Sequence, residues 1–352
     1  MTGSTSRNPT IHDVARVAAV SLATVSRVIN RKKSVSDDAR LRVQRAIDAL
    51  GYERDTGAAN MRRRTTQTVA IAIRDFSIAP NATSIQAIEA VLRAAGYTVL
   101  LASTCDDKAI ELALLREFSE RRVDGILMTL SDEDDPQLID AVTSAKMPIV
   151  LMNRGRVAAR DCVMPDLRGG TAQATDYLLS LGHRRIALLT GQATVFPARA
   201  RVEGFLDAYA ARSLEADIAL IRTGAFTGDF AFTEVNRLLS MRQRPTALIM
   251  GGMSMLAGAL RALKMAGLSH GQDMSIIAGG DSDLAELASP PITALSWDVG
   301  EFGRFCVTTL IERMQGRRDS APMTMVLPTT LLLRGSCLAP PDAPNQRGAR
   351  KA

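Results

Sequence analysis

From residue 69 onward the chain repeats one pattern: a short unbroken apolar run, then a stretch with helical periodicity. Val69-Ala70-Ile71-Ala72-Ile73 is the first such run, and similar ones recur at 98–102, 125–128, 149–152, 186–189, 219–222, 247–250 and 275–278. A strand with one wet face alternates apolar and polar residues, whereas an unbroken run belongs to a strand covered on both faces. Runs of that kind separated by helices predict an α/β fold with parallel sheets. The first intervening helix is expected over about residues 84–95, stopping at Gly96. The 352 residues, 46% of them apolar, are enough for two or three domains of about 150 residues each. Cores of that size need neither disulfides nor metals.

The first fifth of the chain is different. Residues 1–68 hold 13 Lys and Arg against 6 Asp and Glu, and the remaining 284 hold 30 against 31, so all of the net +6 comes from this short segment. A small basic module on a neutral body points to a polyanion, nucleic acid first. Residues 10–50 read as three short helices. Thr10 caps the first, with Asp13 completing a capping box. Ser21 caps the second, over 22–30, and Ser36 opens the third, over 37–50. Val14, Ala18, Val20, Val25 and Val28 stand where a helix-turn-helix needs its internal contacts, and Ala39, Val43, Ala46, Ile47 and Leu50 form the stripe of the third helix. Periodicity alone also allows an ordinary three-helix bundle with a basic face.

The individual residues decide further. Thr10-Ile11-x-Asp13-Val14-Ala15, then Val20-Ser21-x-x-Thr24-Val25-Ser26-Arg27-Val28-Ile29-Asn30, closely resembles the DNA-binding headpiece of the LacI/GalR family of bacterial transcription regulators. The match runs on through Val35-Ser36, Arg42-Val43 and Ala46-Ile47-x-x-Leu50-Gly51-Tyr52. One departure is Ala19, where the family usually has Gly in the turn; a left-handed conformation there costs alanine about 1 kcal/mol. The resemblance implies that the second helix lies in the major groove. Leu22 and Ala23 match the positions that choose sequence, and both can touch only thymine methyls. Arg27 is the candidate for a bidentate bond to guanine. Ser21, Thr24, Ser26 and Asn30 are candidates to set register on phosphates, with plain helix capping the alternative for the hydroxyls, and Thr10 is a further candidate for DNA contact.

Residues 53–68 form a polar linker with an Arg62-Arg63-Arg64 run. By itself this reads as a disordered connection; the resemblance implies a hinge helix that forms over the operator centre. Met61 then stands at the position of the family's inserted Leu, which wedges into the minor groove. Ala58 matches a small helix–helix contact, and Arg62 faces phosphate. Arg54 and Asp55 depart from the family's Pro and Asn, and Gly57 lowers helix propensity.

The resemblance extends over nearly the whole chain through Arg122-Val123-Asp124-Gly125-Ile126, Leu181-Gly182-His183-Arg184-Arg185-Ile186-Ala187, Arg201-x-x-Gly204-Phe205, Arg244-Pro245-Thr246-Ala247, Gly258-Ala259-Leu260, Pro290-Pro291-x-Thr293, and Leu327-Pro328 before Arg334-x-Ser336. It implies a helix-turn-helix headpiece (1–52), a hinge (53–68), a periplasmic-binding-protein-like core of two doubly wound subdomains (69–338) and a basic, Pro-rich tail (339–352). Crossovers between subdomains are expected near 164–166, 296–298 and 327–330. An effector cleft would lie at the carboxyl ends of the facing sheets.

Carrying the family's cleft over residue by residue nominates Ser77, Thr104, Asp166, Arg201, Asp281, Trp297 and Asp298. Arg201 could fork onto paired hydroxyls or a carboxylate, or make a surface salt bridge. Trp297 could stack on a sugar ring or fill the seam. Several polar positions of the family pattern are lost: Ile78-Ala79-Pro80-Asn81, Leu167, Gly252-Met253 and Gly279-Gly280-Asp281 stand where it has Asn, Asp and aromatic residues. A sugar or sugar derivative remains the expected effector class, with a smaller, more apolar or acidic molecule, or a vestigial pocket, as the alternatives.

No motif supports catalysis: phosphate loop, nucleophile elbow and zinc-protease helix are all missing from the sequence. Cys105, Cys162, Cys306 and Cys337 are scattered and fit no disulfide or zinc pattern. No metal or cofactor is expected. The Asp132-Glu133-Asp134-Asp135 run reads as a solvated loop rather than a cation site. The N-terminal MTGSTSRNPT has no apolar signal-peptide core, so a cytoplasmic location is expected. The expectation is a homodimeric repressor that binds a near-palindromic DNA operator under small-molecule control, with no leucine heptads for a tetramer. A sugar-transport receptor, and a DNA-binding regulator controlled by a protein partner, are the alternatives.

Overall fold

A computed structural model describes residues 9–29, 34–52, 65–76, 79–155, 157, 160–318 and 320–340. The chain divides into two compact units, 1–66 and 67–352.

Among the described residues of the first unit lie three helices, α1 (Ile11–Ala18), α2 (Leu22–Ile29) and α3 (Asp37–Leu50). Asp13 accepts from both the backbone N–H and the hydroxyl of Thr10, at 3.0 and 2.7 Å, tying down the start of α1. These bonds hold the Asp13 carboxyl down at about 2. The Ser21 hydroxyl accepts from the Thr24 N–H at 3.2 Å, and Ser36 caps α3 through the Ala39 N–H at 3.4 Å. Val14, Ala18, Val25, Val28, Val43 and Ala46 close a small core, with Ile11, Val20, Ile47 and Leu50 packed around it. Ala19 ends α1 in the left-handed region (φ 52°, ψ 48°). The turn geometry therefore persists without its usual glycine, at the local cost a Cβ imposes there.

The second unit holds two six-stranded sheets. The first runs in the order β11-β5-β4-β3-β1-β2, built from β1 (Thr68–Ile73), β2 (Thr98–Ser103), β3 (Gly125–Met128), β4 (Ile149–Met152), β5 (Asp161–Pro165) and β11 (Thr324–Leu327). All its pairings are parallel. The second runs β12-β10-β9-β8-β6-β7, from β6 (Ile186–Gly191), β7 (Ile221–Gly224), β8 (Ala247–Met250), β9 (Ser275–Ala278), β10 (Thr293–Ser296) and β12 (Thr330–Leu332). Only β12 is antiparallel to its neighbour. The chain passes from one sheet to the other three times: after Pro165, after Ser296 and after Leu327.

Helices cover both faces: α4 (Ala79–Ala94), α5 (Lys108–Glu120), α6 (Pro136–Ser144) and α12 (Val299–Met314) with the first sheet, and α7 (Leu167–Ser180), α8 (Phe196–Ala211), α9 (Gly228–Leu239), α10 (Met253–Met265) and the short α11 (Asp283–Leu287) with the second. Each sheet has an apolar layer on either side, which explains its unbroken runs: β1, β3, β4, β8 and β9 are almost wholly buried.

Two expected boundaries moved. The first core helix begins at Ala79 rather than near 84, because a proline in the first turn lacks only an N–H that would be unpaired anyway. The strand expected at 219–222 is Ile221–Gly224; Asp217 caps a 3₁₀ turn over Ile218–Leu220 through the Ala219 N–H at 3.0 Å and takes the preceding residues. No described helix is long and apolar enough to cross a membrane.

Candidate functional site

In the headpiece, α2 separates its residues by face. Val25 and Val28 are buried in the core, while Ser21, Leu22, Ala23 and Arg27 are exposed. Leu22 is 41% exposed, so the core does not account for its apolar side chain. Thr24 and Ser26 lie half-buried between the faces, and the Ser21 and Thr24 hydroxyls are 2.9 Å apart. Thr10 is engaged with Asp13 at the start of α1. Asn30, Ala58, Met61 and Arg62 fall outside the described residues.

In the larger unit, a cavity of about 210 Å³ opens between the carboxyl ends of the two sheets. Ligands of doubly wound sheets bind at such strand ends. Arg74 follows β1, Thr129 follows β3, and Asn153 and Arg154 follow β4; from the other sheet come Gly251-Gly252 after β8 and Gly279 after β9. Pro165 and Trp297, at two of the crossings, also line it.

Two of the seven nominated residues meet here, Arg201 and Trp297. Ser77 lies outside the described residues. The other four do not line the cavity, and three of them are engaged elsewhere. Asp166 caps α7 through the Gly169 N–H at 2.8 Å, and Asp298 caps α12 through the Glu301 N–H at 2.6 Å. Asp281 takes a fork from Arg334 at 2.7 and 3.0 Å. Thr104 is fully buried just beyond β2, its hydroxyl without a partner.

Arg201, on α8, is 6% exposed. Its Nη1 donates to the Pro197 carbonyl at 2.8 Å, while its buried Nε meets no acceptor. No ion pair holds it among the described residues, so the surface salt bridge held open above is excluded. Burial without compensation brings its pKa down to about 10. The guanidinium lies 5.7 Å from the centre of the Phe226 ring.

Phe226 was not legible as a cleft residue, and its place has a sterical cause. A Cβ on Gly191 would come within 2.0 Å of this ring, and one on Gly252 within 2.7 Å. The glycine that replaces a polar residue of the family pattern at 252 thus leaves room for an aromatic wall.

The other cations of the cavity are matched. Arg74 lies 3.6 Å from Asp106, whose carboxyl is raised by burial against the pull of Arg74. Arg154 is buried; its Nε donates to the Leu130 carbonyl at 2.7 Å and lies 3.5 Å from Glu133. Glu133 is itself buried, accepting from the Phe196 N–H at 2.6 Å and from Arg199 at 3.2 Å. The 132–135 run is therefore a structural ion-pair node rather than a solvated loop, and among the described residues no cluster could hold a metal. Of the histidines, His183 is buried: Nε2 donates to the Leu338 carbonyl at 2.9 Å, so Nδ1 accepts from the Thr246 hydroxyl at 2.7 Å.

Beneath Arg154, the buried Glu111 accepts from the N–H and hydroxyl of Ser131 at 2.8 and 2.9 Å. Desolvation outweighs these bonds and raises its carboxyl to about 7. The folded state then holds a proton that the unfolded state has released, so this group lowers stability as pH rises from about 4.5 to about 7 and adds no further slope above that. Glu111→Gln is expected to remove that slope. Melting temperatures of both proteins measured from pH 4.5 to 8 would check this; parallel curves would contradict it.

Together, a helix-turn-helix unit and a two-sheet unit with a cleft at facing strand ends define the architecture of a ligand-responsive DNA-binding regulator. Residues 10–55 match the model for bacterial regulatory proteins of the lacI family, and 175–337 match a periplasmic binding protein-like domain. The HTH-type transcriptional repressor PurR of Aliivibrio fischeri (strain MJ11) is 31% identical over 311 residues, covering 88% of this chain and 92% of that protein. The HTH-type transcriptional regulator DegA of Bacillus subtilis (strain 168) is 30% identical over 331 residues, covering 93% and 97%. Among solved structures, a Lac repressor dimer bound to operator and the anti-inducer ONPF superposes with a TM-score of 0.82 at 24% identity over 95% of this chain and 100% of that one, a likeness of fold. A complex of the transcriptional regulator CelR with cellobiose gives 0.70 at 30% identity, over 93% and 99%. The chain belongs to the LacI family of bacterial regulatory proteins, as a transcriptional repressor with a DNA-binding helix-turn-helix and an effector-binding domain.

Proposed function

We propose that this repressor binds a near-palindromic operator as a homodimer, one headpiece per half-site, and that a small molecule in the cleft controls its DNA affinity. The observation that carries the reading is the exposed face of α2, where Leu22, Ala23 and Arg27 have no role in the core behind them. An apolar and a guanidinium group on one helix face suit thymine methyls and guanine O6/N7 in the major groove. Two-fold symmetry of the protein would impose two-fold symmetry on the site. The cleft is the second half of the device. A molecule that bridges the two sheets there favours one of their relative arrangements, and it shifts DNA affinity only as far as it binds that arrangement better. Under this reading residues 53–68 link the two events, with Met61 as the minor-groove wedge, Ala58 at the contact between the two hinge segments and Arg62 on phosphate.

Selecting binding sites from random duplex DNA with the full-length protein tests this. The expected product is an inverted repeat bound by two chains, as read by the mass of the complex. A single half-site, or one chain per DNA, would defeat the dimer reading.

A further inference from the structure

We infer that the effector is a compact organic monoanion, a single carboxylate on an apolar ring-sized body, with Arg201 as its counter-ion. The inference rests on reading the cleft as the effector site and names the chemistry that site would take.

Charge balance comes first. Three arginines line the cavity. Arg74 has Asp106 at 3.6 Å and Arg154 has Glu133 at 3.5 Å. Arg201 is as deeply buried as Arg154 but has neither a carboxylate partner nor an acceptor at Nε. A buried guanidinium left in that state is costly, and the Pro197 carbonyl and the face of Phe226 offset the cost only in part. One negative charge is missing from the cavity, and a planar carboxylate matches the donor geometry of the guanidinium. A phosphate dianion would bring a second charge that no unmatched cation answers.

Size and walls then fix the rest of the molecule. A dry cavity of about 150 Å³ accepts benzene, so about 210 Å³ holds one six-membered ring and a carboxylate. Ile73, Ile88, Phe226, Trp297 and Phe302 supply apolar surface, and the glycines at 251, 252 and 279 present no side-chain donor or acceptor. Besides Arg201, the unmatched buried polar atoms of the lining are the Thr129 hydroxyl and the Asn153 carbonyl oxygen, enough for one or two ligand hydroxyls. Asn81, Ser84 and Ser254 also line the cavity, so a pyranose would have to reach them, and each hydroxyl it left buried without a partner would weaken binding by about tenfold.

The test uses the full-length protein without DNA and follows both Trp297 emission and melting temperature. The probes are benzoate, 4-hydroxybenzoate and cyclohexanecarboxylate, their carboxamides, benzyl phosphate, glucose and cellobiose. The carboxylates are expected to saturate the signal and raise the melting temperature, with the amides, the phosphate and the sugars weaker by about tenfold or more. Arg201→Met should erase the preference for acid over amide, while Arg201→Lys keeps part of it. The ligand-free melting temperature of Arg201→Met should not fall, which separates lost recognition from lost folding. Amides equal to acids, or sugars binding where carboxylates do not, would overturn the inference and leave the cleft as an effector site. If no probe of either class binds and DNA affinity ignores them all, both readings fall together.

Discussion

Gly258→Ala is expected to lower the melting temperature of the two-sheet unit by about 6–12 °C. The two helices that flank β8 touch through their backbones at this point. A Cβ on Gly258, in α10, would sit 1.8 Å from the carbonyl oxygen of Gly228 and 2.6 Å from its carbonyl carbon. Gly228 opens α9, and a Cβ on it would in turn meet the Ser254 carbonyl oxygen at 3.3 Å. Backbone cannot swing aside as a flexible side chain does, so α9 would have to move off α10. That movement opens the layer that Ala231, Val235 and Leu238 make with Leu256, Ala259 and Ala262. Overpacking of this kind costs about 3 kcal/mol, and for a unit of this size each kcal/mol moves the midpoint by about 2–4 °C. Gly267→Ala is the control: its φ is +68°, but nothing lies within 4 Å of the added Cβ, so only the backbone cost of about 1 kcal/mol applies. Calorimetry on both variants decides the matter, and equal shifts would mean that the close approach of α9 to α10 is not as described.

The contrast between strands that were legible and strands that were not follows from burial. β1, β3, β4, β8 and β9 are covered on both faces and read as apolar runs. β11 (Thr-Met-Val-Leu) and β12 (Thr-Leu-Leu) lie at sheet edges with residues that stay partly exposed, so they are too short and too mixed to signal a strand. β5 begins with Asp161 because Arg313 forks onto that carboxylate at 2.7 and 3.0 Å from 152 residues away. A sequence carries no trace of that pairing. The cleft divides in the same way. Asp166 and Asp298 each stand just before a helix, a capping signal open to reading without any structure. The Asp281–Arg334 pair, the buried Arg201 and the Phe226 wall depend on contacts between distant elements. What the sequence did show was the loss of polar residues at 252–253 and 280, and the Phe226 ring against Gly252 is the physical counterpart of that loss.

Arg27→Ala is expected to weaken operator binding by a factor between about 30 and about twenty-five thousand. A bidentate arginine–guanine contact is worth about 1–3 kcal/mol of discrimination, and a dimer would make it twice. The residue suits a clean experiment because it is exposed, while the neighbouring Val25 and Val28 carry the packing of α2. Removing Arg27 should therefore leave the headpiece folded, which circular dichroism would verify. The informative quantity is the dependence of affinity on salt, compared between the selected operator and random duplex. An arginine on base edges specifies sequence, so its loss should lower operator affinity far more than random-DNA affinity, with little change in the salt slope. An arginine on phosphate acts through counterion release, so its loss would weaken both DNAs alike and reduce the slope by about 1 for each contact removed. The second pattern would move Arg27 from reading sequence to holding register. Specificity would then fall to Leu22 and Ala23, whose apolar contacts tell thymine from the other bases but cannot select guanine.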